Sequence, residues 1–182
     1  MKIQKMSDPE FENLLLNELD NIEDLELLII KGHILIEYSL NKFINDVNDG
    51  GINIDKTSFT FHNKITISEL LGLFKRVDSL KQSIIDVNKL RNQIAHTLSY
   101  EKKLLKKLIE IFIEIDEPNS GIFKENSDFQ NFYNIVIAIC GLIIGRKIAT
   151  EKTIKFNKYK LQMEMKNNPE KFKSEYLNFE VK

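Results

Sequence analysis

The stretch Ser79–Leu98, SLKQSIIDVNKLRNQIAHTL, decides the fold of this chain. Its apolar residues recur at alternating intervals of four and three, which predicts a helix with one face against a core. The stripe consists of Leu80, Ile84, Val87, Ile94 and Leu98. Arg91 occupies a position in this stripe that the pattern reserves for a hydrophobic side chain. A charge at such a position needs an acidic partner, a place at the edge or a ligand anion, because an unpaired buried charge is costly.

Two further polar side chains border Arg91 on the same predicted helix. Asn92 and His96 share one strip of the helix surface, roughly 100 to 140° around from Arg91 at about 3.6 residues per turn. The chain has only three arginines among its 26 basic residues, and a guanidinium offers a planar fork that matches phosphate oxygens. An imidazole exchanges protons near neutral pH. Arg91, Asn92 and His96 are therefore candidate catalytic residues for phosphodiester chemistry.

Periodic apolar residues on both sides of this stretch predict an all-α fold. The predicted helices begin at or near Ser7 or Asp8, Ile22, Thr66, Asp78 or Ser79, Glu101 and Ser127. The second helix continues to Val47 with apolar residues on two sides, and Gly32 within it predicts the close approach of another backbone. Residues 50–64 are predicted as a loop, because their alternating runs are too short for a stable sheet. The whole chain, 1–182, is expected to form one up-and-down bundle of five or six helices, with 158–182 as a polar, loosely held extension.

Composition places the chain among compact globular proteins of a reducing compartment. Its residues are 42% hydrophobic and 29% charged with a net charge of −1, so a polyanion would have to meet a local basic patch. The one cysteine, Cys140, lies in the apolar segment Ile135–Ile144 and is predicted to be a small buried hydrophobe. That segment is shorter than the roughly 20 residues that cross a bilayer. Without a signal-peptide pattern at its start, the chain is expected in the cytoplasm and not in a membrane.

A long buried helix followed by Arg91-Asn92-x3-His96 in a second long helix resembles the HEPN superfamily, named for higher eukaryotes and prokaryotes nucleotide-binding. The likeness rests on the Arg-x4-His core with Asn after the Arg, which is typical of the ribonuclease members, and on a helical layout over about Leu14 to Leu142. It implies a homodimer in which two motifs face each other and form a metal-independent endoribonuclease for single-stranded RNA, with no cofactor. Arg91 and His96 would be the essential pair, with Asn92 in support. The resemblance also implies a toxin or phage-defence effector, for which an antitoxin or regulatory protein is a further expected partner.

Side chains outside the motif give weaker indications of function. Glu37 and His33 lie four residues apart on the second helix, where they could orient Arg91 or His96 or could simply pair with each other. A lysine face follows the motif and could draw RNA toward it, or could be a solvated helix surface. It consists of Lys102, Lys103, Lys106 and Lys107 on the fifth predicted helix (α5, about Glu101 to Ile115), called here the α5 lysines. No two histidines have the spacing that places two metal ligands on one helical face, so no metal site is predicted.

A noncatalytic role is the rival interpretation of the same motif. Through Ile94-Ala95 the stretch is also similar to the mannitol repressor branch of the HEPN superfamily, which implies a helical regulator or protein-binding module. Arg91 would then form an interhelical salt bridge with an acid such as Glu37, and RNA would stay intact.

Overall fold

Six helices and no strand make up the part of the chain that the structure describes, which confirms the all-α helical bundle. The structure is a computed structural model and describes residues 6–48, 54, 57–75, 77–116, 123 and 126–167. The helices are α1 (Asp8–Leu19), α2 (Leu25–Val47), α3 (Phe61–Leu70), α4 (Asp78–Thr97), α5 (Lys102–Asp116) and α6 (Asp128–Asn167). Much of the predicted extension, 168–182, and part of the predicted loop, 50–53, lie outside the described residues.

Polar caps fix where two of the long helices begin. At α2 the Asp24 carboxylate accepts a hydrogen bond from the Leu27 N–H at 2.7 Å. At α6 the Ser127 hydroxyl accepts from the Gln130 N–H at 3.2 Å, which confirms the predicted start. Each cap satisfies one of the backbone donors that the first turn of a helix leaves without an intrahelical partner.

The predicted start of the third helix was wrong. α3 begins at Phe61 because Thr60 is its N-cap and accepts a hydrogen bond from the Asn63 N–H at 3.2 Å. Thr66 and Glu69, whose spacing suggested a capping box, lie inside this helix instead. The Thr66 hydroxyl donates to a carbonyl of the preceding turn at 3.2 Å. Part of the predicted loop is therefore helical and packs on the bundle.

Both ends of the motif helix differ from the prediction. Val77 occupies the N-cap position of α4 without a side-chain cap, so the predicted cap at Asp78 or Ser79 was wrong. Leu98 follows the helix in the left-handed region with φ 56°, and its side chain is 85% exposed. It is therefore not part of the apolar stripe, because a left-handed residue ends the helical period. The other apolar members of the stripe are buried: Leu80, Ile84, Val87 and Ile94.

Helix α2 is the centre of the bundle and packs against α1, α3 and α4. Its buried apolar residues are Leu28, Ile29, Leu35, Ile36, Leu40, Phe43, Ile44 and Val47, which confirms burial on more than one side. A Cβ at Gly32 would lie 2.6 Å from Val136 Cγ2 and 3.3 Å from Phe132 Cε1, both on α6. The predicted close approach is therefore made by side chains rather than by a second backbone. Glycine is required there because a methyl group has no room.

Two buried lysines join α1, α2 and the first part of α6. Lys42 Nζ lies 3.2 Å from Asp46 and 3.4 Å from Asp8. Lys147 Nζ lies 2.5 Å from Asp8 and 3.2 Å from Asp46. The two carboxylates neutralise the two ammonium groups, as a buried ammonium group requires. Cys140 on α6 is fully buried as predicted, and burial raises the pKa of its thiol to about 12.

The chain divides into two compact units, Met1–Lys147 and Ile148–Lys182. The first contains the core and the motif. The described part of the second is the end of α6, and nearly all of its side chains are exposed. By length and composition alone α6 could cross a membrane, although 44% of its most apolar window is buried and the core helix of a soluble protein passes the same test. The cytoplasmic location stays a prediction.

Candidate active site

Arg91 and Asn92 are joined by a hydrogen bond on the surface of α4. Arg91 Nη1 donates to Asn92 Oδ1 at 3.0 Å, and both side chains are partly buried. Within the described residues no carboxylate lies within 4.0 Å of the guanidinium. Arg91 is therefore held in place by a neutral amide and has no carboxylate partner in the part of the chain that the structure describes. This is the arrangement that a bound anion would complete.

His96 lies in the last turn of α4 and is exposed. It follows Arg91 by five residues, which corresponds to about 7.5 Å along the helix axis and about 140° around it. Its ring forms no hydrogen bond with any residue that the structure describes. An exposed imidazole can exchange a proton with a substrate or with water. The structure thus places a held cation and an accessible proton carrier on one helix.

His33 lies inside the bundle, within range of the charge on Arg91. It is only 5% exposed, and its ring packs against Phe61 of α3 with centroids 4.4 Å apart. The Asn88 side chain is near, but neither ring nitrogen of His33 has a partner with hydrogen-bond geometry among the described residues. A buried imidazole without partners is strongly disfavoured in its charged form.

The pKa of His33 reflects this environment. Burial lowers the pKa below its ordinary value of 6.5, and the positive charges of Arg91 and Lys64 lower it further. Glu37 opposes this shift and does not reverse it. His33 is therefore a neutral neighbour of Arg91 at physiological pH. It adds no positive charge beside the guanidinium and does not reach the surface.

Glu37 is paired with Lys64 of α3. Lys64 Nζ lies 2.5 Å from Glu37 Oε1, and the lysine side chain is 10% exposed. The Arg91–Glu37 bridge of the noncatalytic interpretation is therefore not formed, and neither is a His33–Glu37 hydrogen bond. With Glu37 and Lys64 cancelling each other, Arg91 carries the excess positive charge of this group of side chains.

The α5 lysines are exposed and line a shallow depression of about 600 Å³. Leu104, Glu101 and Glu110 also border it. No α5 lysine has a carboxylate within 4.0 Å among the residues that are described. The depression begins next to the motif, because the Glu101 N–H donates to Gln93 Oε1 of α4 at 2.9 Å. The α5 lysines therefore extend a positive surface from the end of the motif helix.

Sequence reasoning missed the contributions of Phe61 and Lys64. Both lie in or beside the segment predicted as a loop, so no helical face was assigned to them. Thr60, with Asn63 three residues later, was the available signal, since Thr is a favoured N-cap residue. A helix from this start places Phe61 and Lys64 three residues apart on one face.

No group of three or more metal-ligating side chains occurs among the described residues. Comparison of the chain with protein-family models, with curated proteins and with solved structures found no match. The resemblance to the HEPN superfamily thus depends on the motif and the helical layout alone.

Proposed function

We propose that this chain is a HEPN-like, metal-independent endoribonuclease that cleaves single-stranded RNA at a composite site in a homodimer, as a toxin or phage-defence effector. The observation that carries the proposal is the state of Arg91. It is partly buried, fixed by Asn92 at 3.0 Å and without a carboxylate partner in the described part of the chain. A guanidinium in this state can donate to the oxygens of a bound phosphate.

The reaction needs one imidazole to accept a proton and one to donate a proton, and a dimer supplies both as two copies of His96. The 2′-OH of the RNA attacks the adjacent phosphorus, and a neutral His96 takes the proton of that hydroxyl. The bond from phosphorus to the 5′-oxygen breaks, and a protonated His96 of the partner subunit gives its proton to the leaving oxygen. The products are a 2′,3′-cyclic phosphate and a 5′-hydroxyl. Proton exchange with water restores both imidazoles.

Arg91 stabilises the phosphorane, which carries more negative charge than the phosphodiester. A guanidinium that is already held in position loses little freedom when this charge develops, and that favours the transition state over the ground state. Asn92 keeps the fork in place through its Oδ1 atom. The neutral His33 and the Glu37–Lys64 pair leave the charge of Arg91 available for the phosphate.

The α5 lysines bind the RNA backbone on either side of the cleaved bond. Attraction by overall charge is absent at a net charge of −1, so a local group of exposed lysines has to supply it. Their depression begins next to the motif, and single strands are commonly bound in such positive grooves.

The test is cleavage of an end-labelled single-stranded RNA in the presence of EDTA. We expect wild-type protein to produce cyclic-phosphate ends, and His96→Ala to lower the rate by about 10²- to 10⁴-fold, the usual contribution of a general acid or base. Arg91→Ala should lower it by about 10²- to 10³-fold. His62→Ala removes an exposed histidine outside the motif and should leave the rate unchanged.

Equal cleavage by wild type and both motif variants would remove the assignment. A noncatalytic helical regulator would leave RNA intact, and its Arg91→Lys variant would only melt at a lower temperature. That pair of results would also remove the assignment. In cells, expression of the wild-type chain should slow growth and either motif substitution should relieve this effect. Unchanged toxicity of the variants would contradict the effector role.

A further inference from the structure

Residues 152–163 of α6, called here the basic segment, carry a dense local positive charge. The segment contains four lysines and no acidic residue, whereas the whole chain has a net charge of −1. It is helical throughout, and all of its side chains are exposed. A polyanion that the chain as a whole does not attract can therefore meet a positive surface here.

Two aromatic side chains lie among these lysines. Phe156 is 65% exposed and Tyr159 is 60% exposed. They are three residues apart, so they leave the same side of the helix, roughly 60° apart around it and about 4.5 Å apart along its axis. Two neighbouring aromatic rings that both face water differ from the single apolar residues scattered over an ordinary surface, and they indicate a binding surface.

Lysines surround the aromatic pair on its own side of the helix. At about 100° per residue, three lysines lie within roughly 70° of the direction of the pair. They are Lys152, Lys155 and Lys160. The order of residues from 155 to 160, KFNKYK, therefore interleaves positive charges with aromatic rings. Neither feature is by itself diagnostic, but proteins that bind single strands combine them.

We infer that the basic segment binds single-stranded nucleic acid. Two successive bases would stack on Phe156 and Tyr159, and Lys152, Lys155 and Lys160 would bind the adjacent phosphates. Stacking of this kind tolerates any sequence, because every base has a π-face. A duplex would offer the segment only its phosphates, since its bases are already stacked on one another. No contact of this kind requires a 2′-OH, so RNA and DNA strands would be equivalent ligands.

This site goes beyond the proposed function. It binds a strand without cutting it, and it uses neither Arg91 nor His96. The α5 lysines belong to the site proposed for cleavage, whereas the basic segment lies in the second compact unit of the chain, Ile148–Lys182. A single strand could therefore bind to this segment in a protein whose cleavage site has been disabled.

The aliphatic side chains of the segment disfavour a lipid surface as the partner. Ile154 and Leu161 are exposed and lie roughly 170° around the helix from the aromatic pair. A helix that lies in a membrane interface needs its apolar residues on one side, opposite its charges. Here the aromatic rings share their side with the lysines. Two copies of the segment would repel each other through these charges, which disfavours self-association.

The test is fluorescence anisotropy of a labelled single strand titrated with the full chain. A strand of about 12 nucleotides lies within the usual range of site sizes. Every protein carries His96→Ala and alanine at the four α5 lysines, so that the strand is neither cut nor held by the site proposed for cleavage. Phe156→Ala with Tyr159→Ala should raise the Kd by about 30-fold or more, as expected for the loss of two stacked bases.

A matched control lies on the opposite side of the same helix. Ile154→Ala with Leu161→Ala also removes two exposed apolar side chains and should leave the Kd unchanged. Because both double variants change only exposed side chains, their thermal melts should equal that of the parent protein. A difference between them in affinity then reports the aromatic rings and not the stability of the helix.

Salt dependence and strand type separate stacking from attraction by charge. Lys152→Gln with Lys160→Gln should reduce the slope of log affinity against log salt by about 1.4, since each phosphate contact with a single strand contributes about 0.7. The aromatic variant should keep the full slope. It should also keep its affinity for a duplex of the same sequence. A DNA strand should bind with a Kd within about 3-fold of that of the RNA strand.

Three results would overturn the inference. They are an aromatic variant that binds the single strand as tightly as its parent, an aromatic variant that loses equal affinity for the duplex, and a lysine variant with an unchanged salt slope. If a membrane or a second copy occupied the segment instead, the aromatic substitutions would reduce binding to anionic vesicles or dissociate a dimer, and the Kd of the strand would not change. A wild-type chain that binds the strand through this segment but does not cleave RNA would contradict the proposed function alone.

Discussion

Gly32→Ala tests the closest packing contact of the bundle. In a helix interior, alanine is favoured over glycine by about 0.5 to 1 kcal/mol because it restricts the unfolded chain. At this position, however, the new Cβ would lie 2.6 Å from Val136 Cγ2, a distance at which one of the groups must move. Valine in a helix has one strongly preferred rotamer, so the methyl group cannot rotate away at little cost.

The balance of these terms predicts a less stable protein. Overpacking by one methyl group in a filled core costs roughly 1 to 3 kcal/mol, which exceeds the gain in helix propensity. We expect Gly32→Ala to lower the free energy of unfolding by about 1 to 2 kcal/mol in urea titrations. For a protein of this size that corresponds to a decrease of roughly 2 to 8 °C in melting temperature.

Gly141 and Gly145 supply matched controls on α6. A Cβ at either position would meet no atom within 4 Å, so Gly141→Ala and Gly145→Ala should each stabilise the protein by about 0.5 to 1 kcal/mol. Combining Gly32→Ala with Val136→Ala should destabilise the protein by less than the sum of the single effects, since the contact is relieved. A stabilising Gly32→Ala, or strict additivity in the double variant, would refute the packing of α2 against α6.

Three further predictions follow from the site and the corrected helix. Burial lowers the pKa of His33, so its contribution to stability is fully present above the unfolded pKa of about 6.5 and is lost as the pH falls through the folded pKa. His33→Leu should therefore flatten this part of the profile of stability against pH. A variant profile equal to that of wild type would contradict this prediction. Replacing all four α5 lysines with alanine should weaken binding of single-stranded RNA and reduce the slope of log affinity against log salt by up to about 3, and an unchanged slope would exclude them from the RNA interface. Thr60→Ala should destabilise the protein by about 1 kcal/mol in thermal melts, because it removes the N-cap of α3. A larger effect of Thr66→Ala would instead support a helix that begins at Thr66.

The motif helix could be predicted closely because its apolar residues follow one period over five turns. His96 is exposed, outside the stripe, whereas Arg91, which the period places in the stripe, is only partly buried. The prediction failed at the ends, and it also missed three buried side chains inside the helix, Ser83, Asp86 and Leu90. Leu98 continued the sequence pattern, but its left-handed backbone ends the helix and exposes the side chain. Periodicity contains no information about that change of backbone.

The surroundings of the motif could not be predicted in the same way. The partner of Glu37 is Lys64, and this pair depends on how α3 packs against α2, not on spacing along the chain. Two overlapping cap signals, at Thr60 and Thr66, competed for the start of α3, and local sequence does not decide between them. Packing of the partly buried Phe61 and the buried Lys64 against α2 favours the earlier start, because tertiary contacts stabilise helices more than propensity does.

The rate of RNA cleavage by His96→Ala, compared with wild type and His62→Ala in EDTA, tests the central claim most directly. We predict cleavage by wild type and His62→Ala at similar rates, with cyclic-phosphate ends, and a loss of about 10²-fold or more in His96→Ala. Equal rates for all three proteins, or RNA that stays intact with each of them, would contradict it.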